Sequence, residues 1–551
     1  MRGDPIACLD FGTTKTLVAS GDHVLPLGSL HRWTPSLVGL ARTGAILVGE
    51  EAELADPDLR IRSIKRAITK RWNDIRDSAI RAVRWVTADA LIVAALEHVR
   101  DKAKAAGVDL GRTHHLAVGC PSVWDSGQRK RFLRLLNAAG IRARLADLVD
   151  EPVAAGIAWL ERQSLAGATP MRLLVFDMGG GTLDVAVIDV LGSGEDDIHL
   201  LSAVGRAEAG DALDEAIADD LARDLGLAPP GDANTADSHV ADSDVANAGL
   251  ADPANANVVP TAVTSPDVGL DRATVADLGI ADRADVGSAN ARRRRELLLD
   301  AARRLKVALT TEEEAVATLP RDLFGAANEV WYQRSRLEAA FAPQMDRAIE
   351  LVHVALRIAH LSTGTPDAPP DPSPPLEQLL AGVDVVLLSG GMSRVPYVTH
   401  RLRQLFGPRP TIALAFDPPE EAVVRGLAAA GRYRTNTRYA LDYDILLEWD
   451  GGQRSCSLYE AYMPILESWW IERNWQGELR FLCTGRGLDL PRQGRGYLRV
   501  ASSRPVAATL NGESLDGYPV ALNGDAFELA IYPSGRLTMI DGVGQHVGRV
   551  R

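Results

Sequence analysis

Three glycine-rich turns, each directly behind an apolar strand, constrain this chain more than any other feature: DFGTTKT at 10–16, DMGGGTLD at 177–184 and SGGMSRVP at 389–396. Any one alone reads most simply as a tight turn in which glycine supplies a positive φ. Three together point to a backbone that closely approaches a polar ligand. The first turn has apolar segments on both sides, in hairpin order rather than the strand-to-helix order of a Walker loop.

Around these turns the pattern is α/β. Helices are predicted near 88–106, 127–139 and 152–163, a strand at 116–121, and a strong β-hairpin across 172–190. VDVVLLSGG at 383–391 reads as a fully buried strand entering a glycine turn. From about 438 the pattern changes to short alternating strands and Gly turns, which predicts a separate all-β domain. At 551 residues the chain needs two or three cores. Residues 228–290, rich in Ala, Asp, Val, Asn and Pro, lack the periodicity and aromatics of a packed segment and read as a disordered acidic insertion. Helical pattern returns at 292–309 and 334–360, and 363–375 reads as a Pro-rich surface loop.

Composition removes several classes. No apolar run reaches bilayer length, and the first residues lack the basic start and apolar stretch of a signal peptide, so a cytoplasmic chain without membrane association is expected. A net charge of −13 repels a phosphate backbone, so no nucleic acid is expected, and the basic run Arg292–Arg295 reads as a solvated helix start. Cys8, Cys120, Cys456 and Cys483 have no metal-ligand spacing and read as reduced thiols. A monomer is the expected state.

The first two turns each combine an Asp at a strand end with backbone amides and Thr hydroxyls, the donor set that magnesium and a polyphosphate need. Asp10 and Asp177 can hold the metal directly or through water. Thr13, Thr14 and Thr182 can donate to phosphates while Gly12, Gly179, Gly180 and Gly181 admit the backbone, and Lys15 lies in the same first turn. The third turn, with Gly390, Gly391, Ser393 and Arg394, suits the nucleoside half.

In order, content and spacing these motifs closely resemble the ATPase domain of DnaK-type, seventy-kilodalton heat-shock chaperones over roughly residues 5–435, apart from the insertion. The resemblance implies a two-lobed actin-like ATPase built of ribonuclease-H-like repeats (1–437), followed by a small β-sandwich-like domain (438–551), with ATP or ADP and Mg2+ as ligands. It places the catalytic lysine of SIKRAIT on Lys65 and the magnesium and water-shell carboxylate of DEPVAAGIAW on Glu151, beside Asp10, Asp177 and Thr182. It assigns nucleoside contacts to Lys306 and Thr310 of LKVALT, to Gly210 and Asp211, and to Glu420. Where the family stacks an arginine on adenine this chain has Val307, which leaves Arg394 to cover the base.

In that family the following β-sandwich grips extended apolar peptides and a helical lid closes over it; at this length no lid is expected. FELAIYPSGRLTM at 527–539 resembles part of that sandwich, and 447–465 loosely resembles its opening strands. Trp449, Trp469, Trp470 and Trp475 could line a groove, although core positions are favoured. CPSVWDSGQR resembles the family's proline-switch segment, with Pro121 and Arg129 in place. ALDYDIL at 440–446 occupies the linker position. An arginine that engages J-domain partners falls on Asp147, which puts an ordinary J-domain partner in doubt. The leading expectation is an ATP-hydrolysing, chaperone-like protein acting on unfolded peptide or a particular client. A nucleotide-switched scaffold with negligible turnover is the second, and a sugar kinase the third.

Overall fold

The computed structural model describes residues 6–41, 45–71, 87–113, 115–163, 170–191, 198–227, 283–325, 328–472, 479–502 and 504–550. These divide into two compact units, the second beginning, in its larger part, at Ala440.

The first unit repeats one topology twice. Ala7–Phe11 (β1) and Lys15–Ser20 (β2) form an antiparallel hairpin extended by His23–Val24; Leu116–Cys120 joins β1 in parallel, followed by Leu148–Asp150. The second sheet has the same order. Met171–Met178 (β3) and Leu183–Val190 (β4) form the hairpin, Ile198–Arg206 (β5) extends it, and Val385–Ser389 and Thr411–Leu414 add in parallel beside β3. Thr435–Thr437 closes the far edge, parallel to Ile198–Leu200. Strands buried on both faces explain the near-continuous apolar runs of β1 and β3. Two such lobes, followed by a β-rich region, make the two-lobed actin-like ATPase fold expected from the sequence.

Helices cover the sheets through stripes of helical period. In Ala88–Ala105 (α1) the stripe is Leu91, Ile92, Ala95, Leu96 and Val99, and Thr87 caps the helix by accepting from the Ala90 amide. Glu151–Gln163 (α2) crosses Ala422–Ala429 so closely that a Cβ at Gly426 would collide with the Ala154 backbone. The helix expected from 292 begins at Arg283 and runs to Ala308 (α4), after Gly210–Asp224 (α3). RADVGSAN has no apolar stripe and contains Gly287, so pattern alone reads it as coil. It follows that Arg292–Arg295 lie within a helix, not at its start, and that 283–290 of the expected insertion are helical; the rest of that insertion, 228–282, lies outside the described residues. Among the described residues no helix is long and apolar enough to cross a membrane.

In the second unit, two antiparallel sheets enclose one core. Asp444–Trp449 is flanked by Arg454–Tyr459 and Arg495–Ala501, with Pro519–Ala521 at the edge; the facing sheet centres on Glu528–Ile531, Arg536–Ile540 and Gln545–Arg549. Ile445, Leu447, Trp449, Leu498, Phe527, Leu529 and Met539 meet between them. Trp449 is therefore core. Trp470 is half-buried, and Trp475 and the Trp469 side chain lie outside the described residues.

Candidate functional site

The repeated topology carries its hairpin turns to one place. Gly179–Thr182 joins β3 to β4 and packs against Gly12–Thr14, which joins β1 to β2. A Cβ on Gly180 would collide with Thr14 Oγ1, and one on Gly181 would lie 2.5 Å from Thr13 Cγ2 and 3.1 Å from the Arg66 side chain. Gly179 N–H donates to the Thr182 carbonyl at 3.0 Å, while the amides of Gly210 and Asp211 donate to the carbonyls of Gly179 (3.2 Å) and Gly180 (2.6 Å), so the N-terminus of α3 is stitched to this loop. Gly390 sits at φ +78 behind the next parallel strand, and a Cβ there would reach 2.7 Å from Asp177 Oδ1. The three turns, widely separated in the sequence, thus line one cradle in which side-chain volume is excluded.

Beneath the cradle lies a buried charge cluster. Lys65 Nζ donates to Glu151 Oε1 at 2.6 Å, and its ammonium stands 5.3 Å from the centre of the Trp124 ring. Asp10, Asp177 and Asp184 are buried beside them. Burial first, then the Glu151 and Asp177 carboxylates, push Asp10 up to about 8 against the opposing pull of Lys65. Burial and Glu151 push Asp177 up to about 7, and Asp184 is raised well above the usual range by burial and the same neighbours. Burial alone would lower Lys65, but Glu151 and Asp10 more than reverse it. Several carboxylates converging on one ammonium make a cluster that attracts further positive charge.

Asp184 was not singled out by sequence reasoning. It is the direct cross-strand partner of Asp177 in the β3–β4 hairpin, interacts with the Thr182 side chain, and its Oδ1 has no hydrogen-bond partner among the described residues. Only the four-residue turn Gly179–Thr182 sets residue 177 opposite 184, since a turn centred on the three glycines would pair 177 with 183; two buried carboxyls face to face are unfavourable without a cation or proton.

Of the residues expected to meet a nucleoside, Lys306 donates to the Gly210 carbonyl at 2.9 Å and pairs with buried Asp214 at 2.6 Å. Thr310 donates to the Val307 carbonyl (2.7 Å), and Val307 itself is exposed. Ser393 Oγ donates to the Ser389 carbonyl at 2.5 Å, holding the third turn, in which Gly391 has open space around its Cα. Arg394 donates to Glu420, which also accepts from Lys15.

The Lys65 segment is tied across to α3 and α4. Arg60 and Arg62 reach Asp300 at 3.2 and 2.6 Å, Ser63 Oγ donates to Asp211 Oδ2 at 2.5 Å, and Arg66 lies 3.7 Å from the same carboxylate. These contacts, between residues 145 to 240 positions apart, were invisible in the sequence. Buried Arg129 donates to Asp150 (2.5 Å), next to Glu151, and to the carbonyls of Trp124 and Ser122; Tyr439 also donates to the Ser122 carbonyl at 2.7 Å. Asp147 is buried and accepts from the Arg144 side chain (2.9 Å) and backbone (2.8 Å), so its charge is locally neutralised.

Among the described residues no three carboxylate, imidazole or thiol groups converge tightly enough to chelate a metal by themselves. The donor set fits magnesium that keeps most of its waters and is shared with phosphates. The open Asp184 oxygen and the glycine cradle fit the same pair of ligands.

Comparison with known proteins gives a consistent result. The model of the family described as Hsp70 protein matches residues 6–238 and 274–440. The chaperone protein DnaK of Thermotoga petrophila is 25% identical over 452 residues, covering 80% of this chain and 61% of its own length. Those of Thermotoga neapolitana and Thermosipho africanus are each 24% identical, with 61% and 60% of their lengths covered. The chain thus spans about three fifths of the length of these relatives.

Proposed function

The chain belongs to the Hsp70 family, and from that premise we propose that it is a chaperone-type ATPase that binds ATP or ADP with Mg2+ between its two lobes and hydrolyses the γ-phosphate by attack of water. The observation carrying this reading is the buried Lys65–Glu151 pair set among Asp10, Asp177 and Asp184 below the glycine cradle.

Bound magnesium would neutralise charge on the β- and γ-phosphates. The protein's own part is positioning and electrostatic stabilisation. Thr13, Thr14 and the amides of Gly12 and Gly179–Gly181 hold the phosphates. Lys65 meets charge developing on the γ-phosphate, held in place by Glu151 and Trp124. Asp177 and Thr182 orient the water, Asp184 holds Thr182, and Asp10 with Glu151 holds the metal's water shell. Lys306, Thr310, Gly210, Asp211, Gly390, Gly391, Ser393 and Arg394 surround the nucleoside, and Glu420 pairs with Arg394 at its side.

The β-rich residues 438–551 are proposed to bind unfolded peptide or one client protein, by analogy with the unfolded-protein binding of the family. The chain Glu151, Asp150, Arg129, Ser122, Tyr439 supports coupling, since it runs from the charge cluster to the last residue of the first unit. Asp147, paired with Arg144, stands where the family engages J-domain partners with an arginine, so an ordinary J-domain partner is not part of the proposal. Steady-state phosphate release with Mg2+-ATP, with and without an unfolded polypeptide, tests the proposal. The alternative, a nucleotide-switched scaffold, predicts tight binding without turnover.

A further inference from the structure

Lys15 opens β2 immediately after the Gly-Thr-Thr turn. In the β1–β2 ladder Asp10 stands opposite Leu17, and alternation puts Lys15 and Leu17 on one face of the sheet, so Lys15 projects from the same face as Asp10. Its ammonium lies 4.6 Å from the Trp33 ring centre and 3.4 Å from Glu420 Oε1. That separation is long for a charge-assisted hydrogen bond, and both groups keep partial contact with solvent: the pair is loose and exchangeable.

The other oxygen of Glu420 accepts from Arg394 Nη2 at 3.2 Å and Nε at 3.3 Å. Arg394 belongs to the third glycine turn of the second lobe. Glu420 lies just before the helix Ala422–Ala429, which packs on β1, β2 and α2. One carboxylate therefore holds a phosphate-side cation and a nucleoside-side cation together across the mouth of the cleft. Burial pulls Glu420 up, yet Lys15 and Arg394 outweigh it and keep its carboxylate below the usual range.

We propose that Glu420 is a built-in competitor of the nucleotide: without nucleotide it holds Lys15, and a bound polyphosphate draws Lys15 away, leaving Glu420 to Arg394 alone. The proposal rests on the reading that the cleft binds a nucleotide. A polyphosphate carries several negative charges where Glu420 carries one, so at comparable distances it attracts the ammonium more strongly than the carboxylate does. Adenosine, lacking phosphates, leaves Lys15 where it is.

The test is calorimetric titration of the full chain with ADP plus Mg2+ and, separately, with adenosine. Glu420→Gln is expected to bind ADP about fivefold more tightly than the unaltered chain, and Lys15→Met about tenfold more weakly, each change being of the size of one exposed charge contact. Lys15→Met should bind adenosine as the unaltered chain does, and Lys15→Arg should recover ADP affinity to within about threefold. Weaker ADP binding by Glu420→Gln would show that Glu420 supports the bound nucleotide instead of competing with it, and overturns the proposal. Equal losses for adenosine and ADP in Lys15→Met would make Lys15 a structural residue only, and overturn it as well. Failure of ADP to bind the unaltered chain overturns the nucleotide reading itself, an outcome distinct from the other two.

Discussion

Lys65 and Glu151 form a 2.6 Å ion pair with both side chains buried, so neither can be removed without stranding the other. Breaking such a pair from one side typically costs ~3–5 kcal/mol, because an unpaired charge stays in the interior. Lys65→Ala is expected to lower stability by about that amount in denaturant titration. The double variant Lys65→Met, Glu151→Gln should recover most of it while remaining without turnover, which separates the structural from the catalytic part of the pair.

The clustered carboxylates predict an unusual pH dependence. Asp10 is raised to about 8 and Asp177 to about 7 in the folded chain, above their unfolded values, so between pH 6 and 8 the native state binds more protons than the unfolded state. Stability therefore falls as pH rises through this window. In a chelating buffer without nucleotide, unfolding free energy should drop by roughly 3–4 kcal/mol from pH 6 to pH 8. Asp10→Asn should flatten the slope. A flat profile over the same range would mean that these groups are ionised throughout.

Gly180 offers a test of the cradle. A Cβ there collides with Thr14 Oγ1, which can rotate away, and lies 3.1 Å from Thr14 Cβ, which cannot, so Gly180→Ala should lose about 1 kcal/mol of stability and bind ADP at least about tenfold more weakly, since the methyl displaces the Thr14 hydroxyl proposed to hold phosphate. Gly426→Ala is the contrasting case. Its Cβ meets the Ala154 backbone, which cannot rotate away, and overpacking of this kind costs ~1–3 kcal/mol, read by thermal melting and without a direct effect on the nucleotide.

Asp300 accepts from both Arg60 and Arg62 and also pairs with Arg303 at 3.2 Å. It thereby joins the segment leading to Lys65 to α4. Asp300→Ala leaves three arginines together without their shared anion and releases that tie. ADP dissociation, followed by chase of a fluorescent analogue, is expected to accelerate about three- to tenfold, and Asp300→Glu should stay near the unaltered rate.

The hairpins 7–20 and 171–190, the parallel strands 116–120 and 385–389 and most helices were readable in the sequence because each has its own period and glycine punctuation. The turns were readable as places of close backbone approach for the same reason. What escaped was set by pairing or by distance. Asp184 needed the hairpin register before its place opposite Asp177 became visible. Asp300 acts on the Lys65 segment from far along the chain, and nothing local in its helix marks it; Asp211, expected at the nucleoside, also holds Ser63, a contact that only the fold reveals. The first turns of α4 escaped because RADVGSAN has no apolar stripe to reveal a helix.

Mg2+-dependent ATP turnover by the purified chain, measured with and without an unfolded polypeptide and beside Lys65→Ala, bears most directly on whether the buried Lys65–Glu151 cluster is catalytic. A chaperone-type ATPase requires turnover that depends on magnesium, rises with the polypeptide, and falls at least about a hundredfold in the variant, a loss of ~2.7 kcal/mol or more of transition-state stabilisation. Tight ATP binding with turnover no greater than that of Lys65→Ala would contradict this and leave a nucleotide-gated scaffold.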